Sequence, residues 1–291
     1  MPSPGGDTAV HIDQLGRLGP VLGRGGQAIV YALPDYGLPD VPGGLVFKHH
    51  RRVPDSAADL VALRAELDQP SRAWLDRITT WPVRVVRRGV DTVGVVVPRI
   101  PDSYFDDITL PSGNRKKAPR EVQYLFVEPA RIGRVLPTAT QRLLVCADFA
   151  DALDFLHVLG IVVGDINHRD ALYRLSARPM VMFTGGDEMR PTGSTATTRQ
   201  IDSPDWDPPE HHDGLSQATD LYKLGLFVLR TLTPGVLTST KRDPVAAAGV
   251  LDAAGLDMLT RALADRPAHR PSAHAWATYL NGLLADPTRR A

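Results

Sequence analysis

The stretch that most constrains this chain is Thr140 to Leu159, an apolar run closed by Gly160 and followed by the polar loop Ile161-Val162-Val163-Gly164-Asp165-Ile166-Asn167-His168-Arg169-Asp170-Ala171-Leu172-Tyr173. Apolar residues cover most of its helical circumference and leave only the narrow strip Asp148, Asp151 and Asp154, so the spacing predicts a helix buried on nearly every side. Gly160 ends it. The loop beyond carries two carboxylates, Asp165 and Asp170, five positions apart. A loop held between a buried helix and a strand can fix two acids in space, one to orient a hydroxyl and one to hold a metal. Local turn bonding by Asp and Asn is the plainer reading of the same residues.

Upstream, Leu22-Gly23-Arg24-Gly25-Gly26-Gln27-Ala28-Ile29-Val30-Tyr31 reads as a glycine turn between two strands within Leu15 to Tyr31. Glycines there let backbone amides approach a phosphate with no Cβ in the way. Lys48 follows in the short strand Leu45-Val46-Phe47-Lys48. Ser56 to Leu67 reads as a helix capped by Ser56, with Leu60, Leu63 and Leu67 on one face and Glu66 at its edge. Trp81-Pro82 opens a hairpin, Val83 to Arg87 and Thr92 to Val97, turning at Gly89, and the segment from Asp102 to Arg134 is a polar insertion with Arg115, Lys116, Lys117 and Arg120. Downstream, Leu172 to Leu175 and Met180 to Thr184 read as short strands, Arg190 to Pro209 as a Pro-rich loop, and Ala218 to Leu232, Val245 to Ala264 and Pro271 to Leu284 as helices.

In this order the landmarks resemble the protein kinase-like superfamily, over roughly nine-tenths of the chain. They are most similar to a bacterial atypical branch whose catalytic loop reads Gly-Asp-Val-Asn-His. The resemblance implies an α+β, bilobal protein kinase-like fold with a small β-rich N-lobe and a larger helical C-lobe. Residues 1–10, Pro/Gly-rich at their start, read as a disordered N-terminus, and the resemblance implies one domain over 11–291, with the N-lobe about 11–97, the hinge about 98–101 and the C-lobe about 102–291. It implies nucleotide contacts from Gly23, Gly25, Gly26, Ala28, Val30, Lys48, Val97 and Ile100, with Lys48 on the phosphates and paired to Glu66. Asp165 would orient the acceptor hydroxyl and Asp170 would ligate magnesium. Asp220 would brace the catalytic-loop backbone, and Glu210 would pair with Arg270. ATP and Mg2+ are the implied cofactors, and a protein partner or substrate is implied beside the nucleotide.

The chain departs from the kinase pattern in three places. Val163-Gly164 stands where His-Arg is usual, so no arginine adjoins Asp165 to read a phosphorylated loop. Asn167 stands where many Ser/Thr kinases have lysine. The metal-binding aspartate is expected near Gly185, where the nearest carboxylates are Asp187 and Glu188. Two readings follow. One is a degenerate kinase, a pseudokinase acting as a regulatory or scaffold module, because a missing charge beside the phosphates is not offset from a distance. The other is an active atypical Ser/Thr protein kinase using Asp165, Asp170 and Asp187. Thr192, Ser194, Thr195, Thr197, Thr198 and Ser203 are candidate phosphorylation sites on the Pro-rich loop, and equally the hydroxyls of an ordinary flexible loop.

Composition narrows the setting. Thirty-three basic residues balance thirty-three acidic ones, which gives no footprint for nucleic acid. The single cysteine, Cys146, excludes an internal disulfide and a cysteine-based zinc site, and fits a reducing, cytoplasmic setting. No apolar run reaches membrane-spanning length. His211-His212-Asp213 reads as a surface turn.

Overall fold

The computed structural model describes residues 8–109, 112–127, 135–167, 169–176, 178–194, 205–210, 214–235 and 237–286. The protein is α+β, with a sheet-rich N-terminal region and a helical C-terminal region. It divides into two compact units, one formed by Met1–Pro101 with Phe183–Pro191, the other by Asp102–Met182 with Thr192–Ala291.

The first unit is built on six strands: β1 (Ala9–His11), β2 (Val21–Arg24), β3 (Ala28–Leu33), β4 (Leu45–His50), β5 (Arg84–Arg88) and β6 (Asp91–Pro98). Their order is β1-β5-β6-β4-β3-β2, with β1 parallel to β5 and the other pairs antiparallel. Alternation along each strand sends side chains to opposite faces, and here both faces are buried. Leu33, Leu45, Phe47, Val86 and Val96 form one core, and Val46, Val85, Val95 and Val97 form the other with Ala57 and Val61 of helix α1 (Ala57–Glu66). The sheet begins earlier than the sequence led us to expect. Ala9 and Val10, placed in a disordered terminus, pair with Val85 and Val86, while residues 1–7 lie outside the described residues. Leu15, expected in a strand, ends a short 3-10 turn.

A second helix, α2 (Gln69–Ile78), was not legible beforehand. Asp68 caps it by accepting from the Ser71 amide, and it buries Leu75 and Ile78. Ser56 does not cap α1. Its hydroxyl donates instead to the Met189 carbonyl, 2.8 Å away.

The second unit opens with a hairpin, β7 (Phe105–Thr109) and β8 (Arg115–Pro119), where a structureless insertion was expected. Residues 110–111 and 128–134 of that insertion are outside the described residues. Helix α3 (Ala139–Val158) follows, closed at its start by a capping box between Thr138 and Gln141. It is buried as expected, although its acidic strip is not a solvent face. Asp148 is 5% exposed and accepts from the Val181 amide, and Asp154 meets His274 of helix α6 (Ala273–Ala285). After strand β9 (Ile161–Val162) come β10 (Ala171–Arg174) and its partner β11 (Met180–Phe183), whose last residue begins the segment belonging to the first unit. Helix α4 (Gln217–Leu232) is capped by Ser216. The helix expected over 245–264 is two pieces, a 3-10 turn at Pro244–Ala247 and α5 (Ala253–Ala262), because Asp252 caps a new start. Among the described residues no helix is long and apolar enough to cross a membrane.

Candidate functional site

In the first unit, strand alternation puts Lys48 and His50 of β4 on the same face, the one covered by α1. Val30 lies directly across from Lys48 in the β3–β4 ladder. Gly94 of β6 has no room for a side chain, since a Cβ there would collide with the Lys48 carbonyl. The segment Phe183–Pro191 crosses beside this face. Thr80 pins it, its amide donating to the Phe183 carbonyl at 2.9 Å and its hydroxyl to the Thr184 carbonyl at 2.5 Å. Gly186 packs against the Thr80–Trp81 backbone so closely that a Cβ would sit 2.8 Å from the Thr80 oxygen.

The consequence is the position of Asp187. Its carboxylate is fully buried, Lys48 Nζ lies 2.5 Å from Oδ1, and His50 Nε2 lies 2.8 Å from Oδ2. Burial alone would raise its pKa, but the Lys48 charge and the His50 hydrogen bond outweigh it and hold the carboxyl at about 2. Glu188 stands farther off, 3.9 Å from Lys48 Nζ.

The expected Lys48–Glu66 pair is therefore corrected. Glu66 is exposed at the last position of α1, and Asp187 and Glu188 are the carboxylates at Lys48. The buried face of α1 runs Ala57, Leu60, Val61 and Arg64, and at 100° per residue Glu66 lies about 200° round from Arg64. What the last turn sends inward is Arg64, bonded to Asp76 through Nε and Nη2 at 2.8 and 2.7 Å and to Asp40 at 2.9 Å.

The glycine turn lies between β2 and β3, closed by the Gly25 amide on the Ala28 carbonyl at 2.9 Å. Among the described residues no atom lies within 4 Å of where a Cβ on Gly26 would be, and the nearest atoms to a Cβ on Gly25 and on Gly23 are at 3.8 and 3.9 Å. None of the three has positive φ. Ala28 is buried, Val97 is buried in the sheet core opposite Val46, and Ile100 is half-buried just beyond β6.

The second unit holds the acidic loop. Gly164 has φ +77°, a conformation that favours glycine. Asp220, fully buried near the start of α4, accepts from the Val163 and Gly164 amides at 2.8 Å each and meets His157 Nε2 at 3.1 Å. Lys223, one turn on and equally buried, donates to the Gly164 carbonyl at 2.7 Å. Within the loop the buried Asn167 amide donates to Asp165 Oδ1 at 2.9 Å and to Asp170 Oδ2, while its oxygen accepts from the Arg169 and Asp170 amides. One side chain thus ties both candidate acids together. His168 lies outside the described residues. Glu210 and Arg270 form a two-pronged ion pair with the guanidinium buried.

The Thr192 hydroxyl donates to the Gly160 carbonyl at 2.9 Å. Thr195, Thr197, Thr198, Ser203 and the His211-His212-Asp213 turn lie outside the described residues. Cys146 is buried and its thiol is pushed well up by burial, which marks it as packing. Among the described residues no group of three or more His, Cys, Asp or Glu side chains could hold a metal ion. Comparison with known protein families and with curated proteins finds no match to this chain.

Proposed function

We propose that the chain is a kinase-like, nucleotide-binding module that does not transfer phosphate and acts on a protein partner as a regulator or scaffold. The observation that carries this reading is the state of Asp187, the carboxylate nearest the expected magnesium position. It is fully buried, with each oxygen on a basic nitrogen of β4. Magnesium demands near-octahedral oxygen ligands and retains several waters. A carboxylate closed off in this way does not fit the ion.

The nucleotide part of the reading is supported by Gly23, Gly25 and Gly26. Backbone shape and packing would accept alanine at each, and glycine costs roughly 0.5–1 kcal/mol in chain entropy, so a bare backbone there suits the approach of a phosphate. The active atypical kinase is the second reading, favoured by the Asn167 bridge between Asp165 and Asp170 and by the Asp220 brace. Thermal unfolding with ATP, in magnesium and in EDTA, separates the two. The degenerate reading expects a rise indifferent to metal and lost in Lys48→Ala. A rise that requires magnesium and disappears in Asp187→Asn would support the enzyme instead.

A further inference from the structure

We propose that His50 makes this nucleotide site indifferent to divalent metal, by holding the Asp187 oxygen that a magnesium ion would need. The proposal rests on the nucleotide-binding reading above and assigns its metal requirement to one residue.

Lys48 and His50 divide the carboxylate between them, one oxygen each, because they are two positions apart on one strand. A lysine alone would leave Oδ2 open. The imidazole is wholly buried, and among the described residues its Nδ1 has no hydrogen-bond partner. A buried nitrogen left without a partner costs about 1–3 kcal/mol, whereas an apolar side chain of similar size carries no such cost. The contact that offsets it is the one to Asp187. Magnesium approaches a carboxylate oxygen to about 2.0–2.1 Å and keeps water around itself. An oxygen with no solvent exposure and an imidazole nitrogen at 2.8 Å offers neither room nor water. With a small apolar side chain such as alanine at position 50, Oδ2 loses its donor and gains the space the imidazole filled, and a hydrated cation becomes its best available partner.

The test is titration of ATP in magnesium and in EDTA into wild type, His50→Ala and His50→Gln. Wild type should bind equally in the two buffers, within about twofold, and His50→Ala should bind at least about tenfold tighter in magnesium. Gln places an amide where Nε2 lies, so His50→Gln should restore the wild-type pattern. If His50→Ala does not fold, His50→Asn, whose amide is too short to reach Oδ2, replaces it with the same expectation. A metal-indifferent wild type with an equally indifferent His50→Ala overturns the role of His50 and leaves the module reading standing. A wild type that already requires magnesium, or that binds no ATP in either buffer, overturns the reading and the proposal together.

Discussion

Replacing Lys48 by methionine strands Asp187 as a buried charge. The Lys48 side chain is 13% exposed and that of Asp187 is 0%, which places the pair among buried rather than surface ion pairs. Removing one partner of such a pair costs about 3–5 kcal/mol. His50 still meets the carboxylate, which keeps the expected loss at the lower end, about 3 kcal/mol. Replacing both charges, Lys48→Met with Asp187→Leu, should cost less than the two single changes added together by roughly 2 kcal/mol, because no uncompensated charge remains. Urea unfolding followed by tryptophan emission reads this, since Trp81 is fully buried in the same unit. Single and double changes that add within about 0.5 kcal/mol would refute the coupling. A Lys48→Met loss below about 1 kcal/mol would show the pair behaving as an exposed one.

The same carboxylate sets a pH dependence. Its folded pKa of about 2 lies below the ordinary 3.8, so the stability it contributes is complete above about pH 4 and is lost as pH falls through the folded value, by roughly 2 kcal/mol. Urea midpoints between pH 5 and pH 2 should show this fall in wild type, with a smaller one in Asp187→Asn. Asp220→Asn leaves one acceptor oxygen for two backbone amides and should cost about 1–3 kcal/mol, with faster hydrogen exchange at Val163 and Gly164. Gly186→Ala forces a Cβ against the Thr80–Trp81 backbone and should cost about 1–3 kcal/mol by calorimetry.

Much of the fold was legible because it lies in local pattern. The β-branched residues of β3 and β6, the apolar run Leu45–Phe47 of β4, the buried periodicity of α3 and the apolar run from Ala218 to Leu232 in α4 each point to one element. What escaped were elements held by charge. The β7–β8 hairpin sets Asp107 opposite Lys117, a cross-strand pair that composition alone makes look like a solvated loop. Counting Leu60, Leu63 and Leu67 as the stripe of α1 turned Glu66 toward the core, whereas the buried position is Arg64, whose partners Asp40 and Asp76 are distant in sequence. In the candidate site, Asp220 on the loop backbone and Glu210 on Arg270 followed from the order of landmarks. The contact of Asp187 with Lys48 depended on a two-residue displacement in a glycine pair that sequence alone leaves open. His50 had only its spacing from Lys48 to mark it. Asn167 had only its place between the two acids it joins.

The most direct test is the calorimetric titration of ATP into the wild-type protein, once in magnesium and once in EDTA. A carboxylate closed off by Lys48 and His50 gives dissociation constants equal within about twofold. Binding at least about tenfold tighter in magnesium would contradict the account.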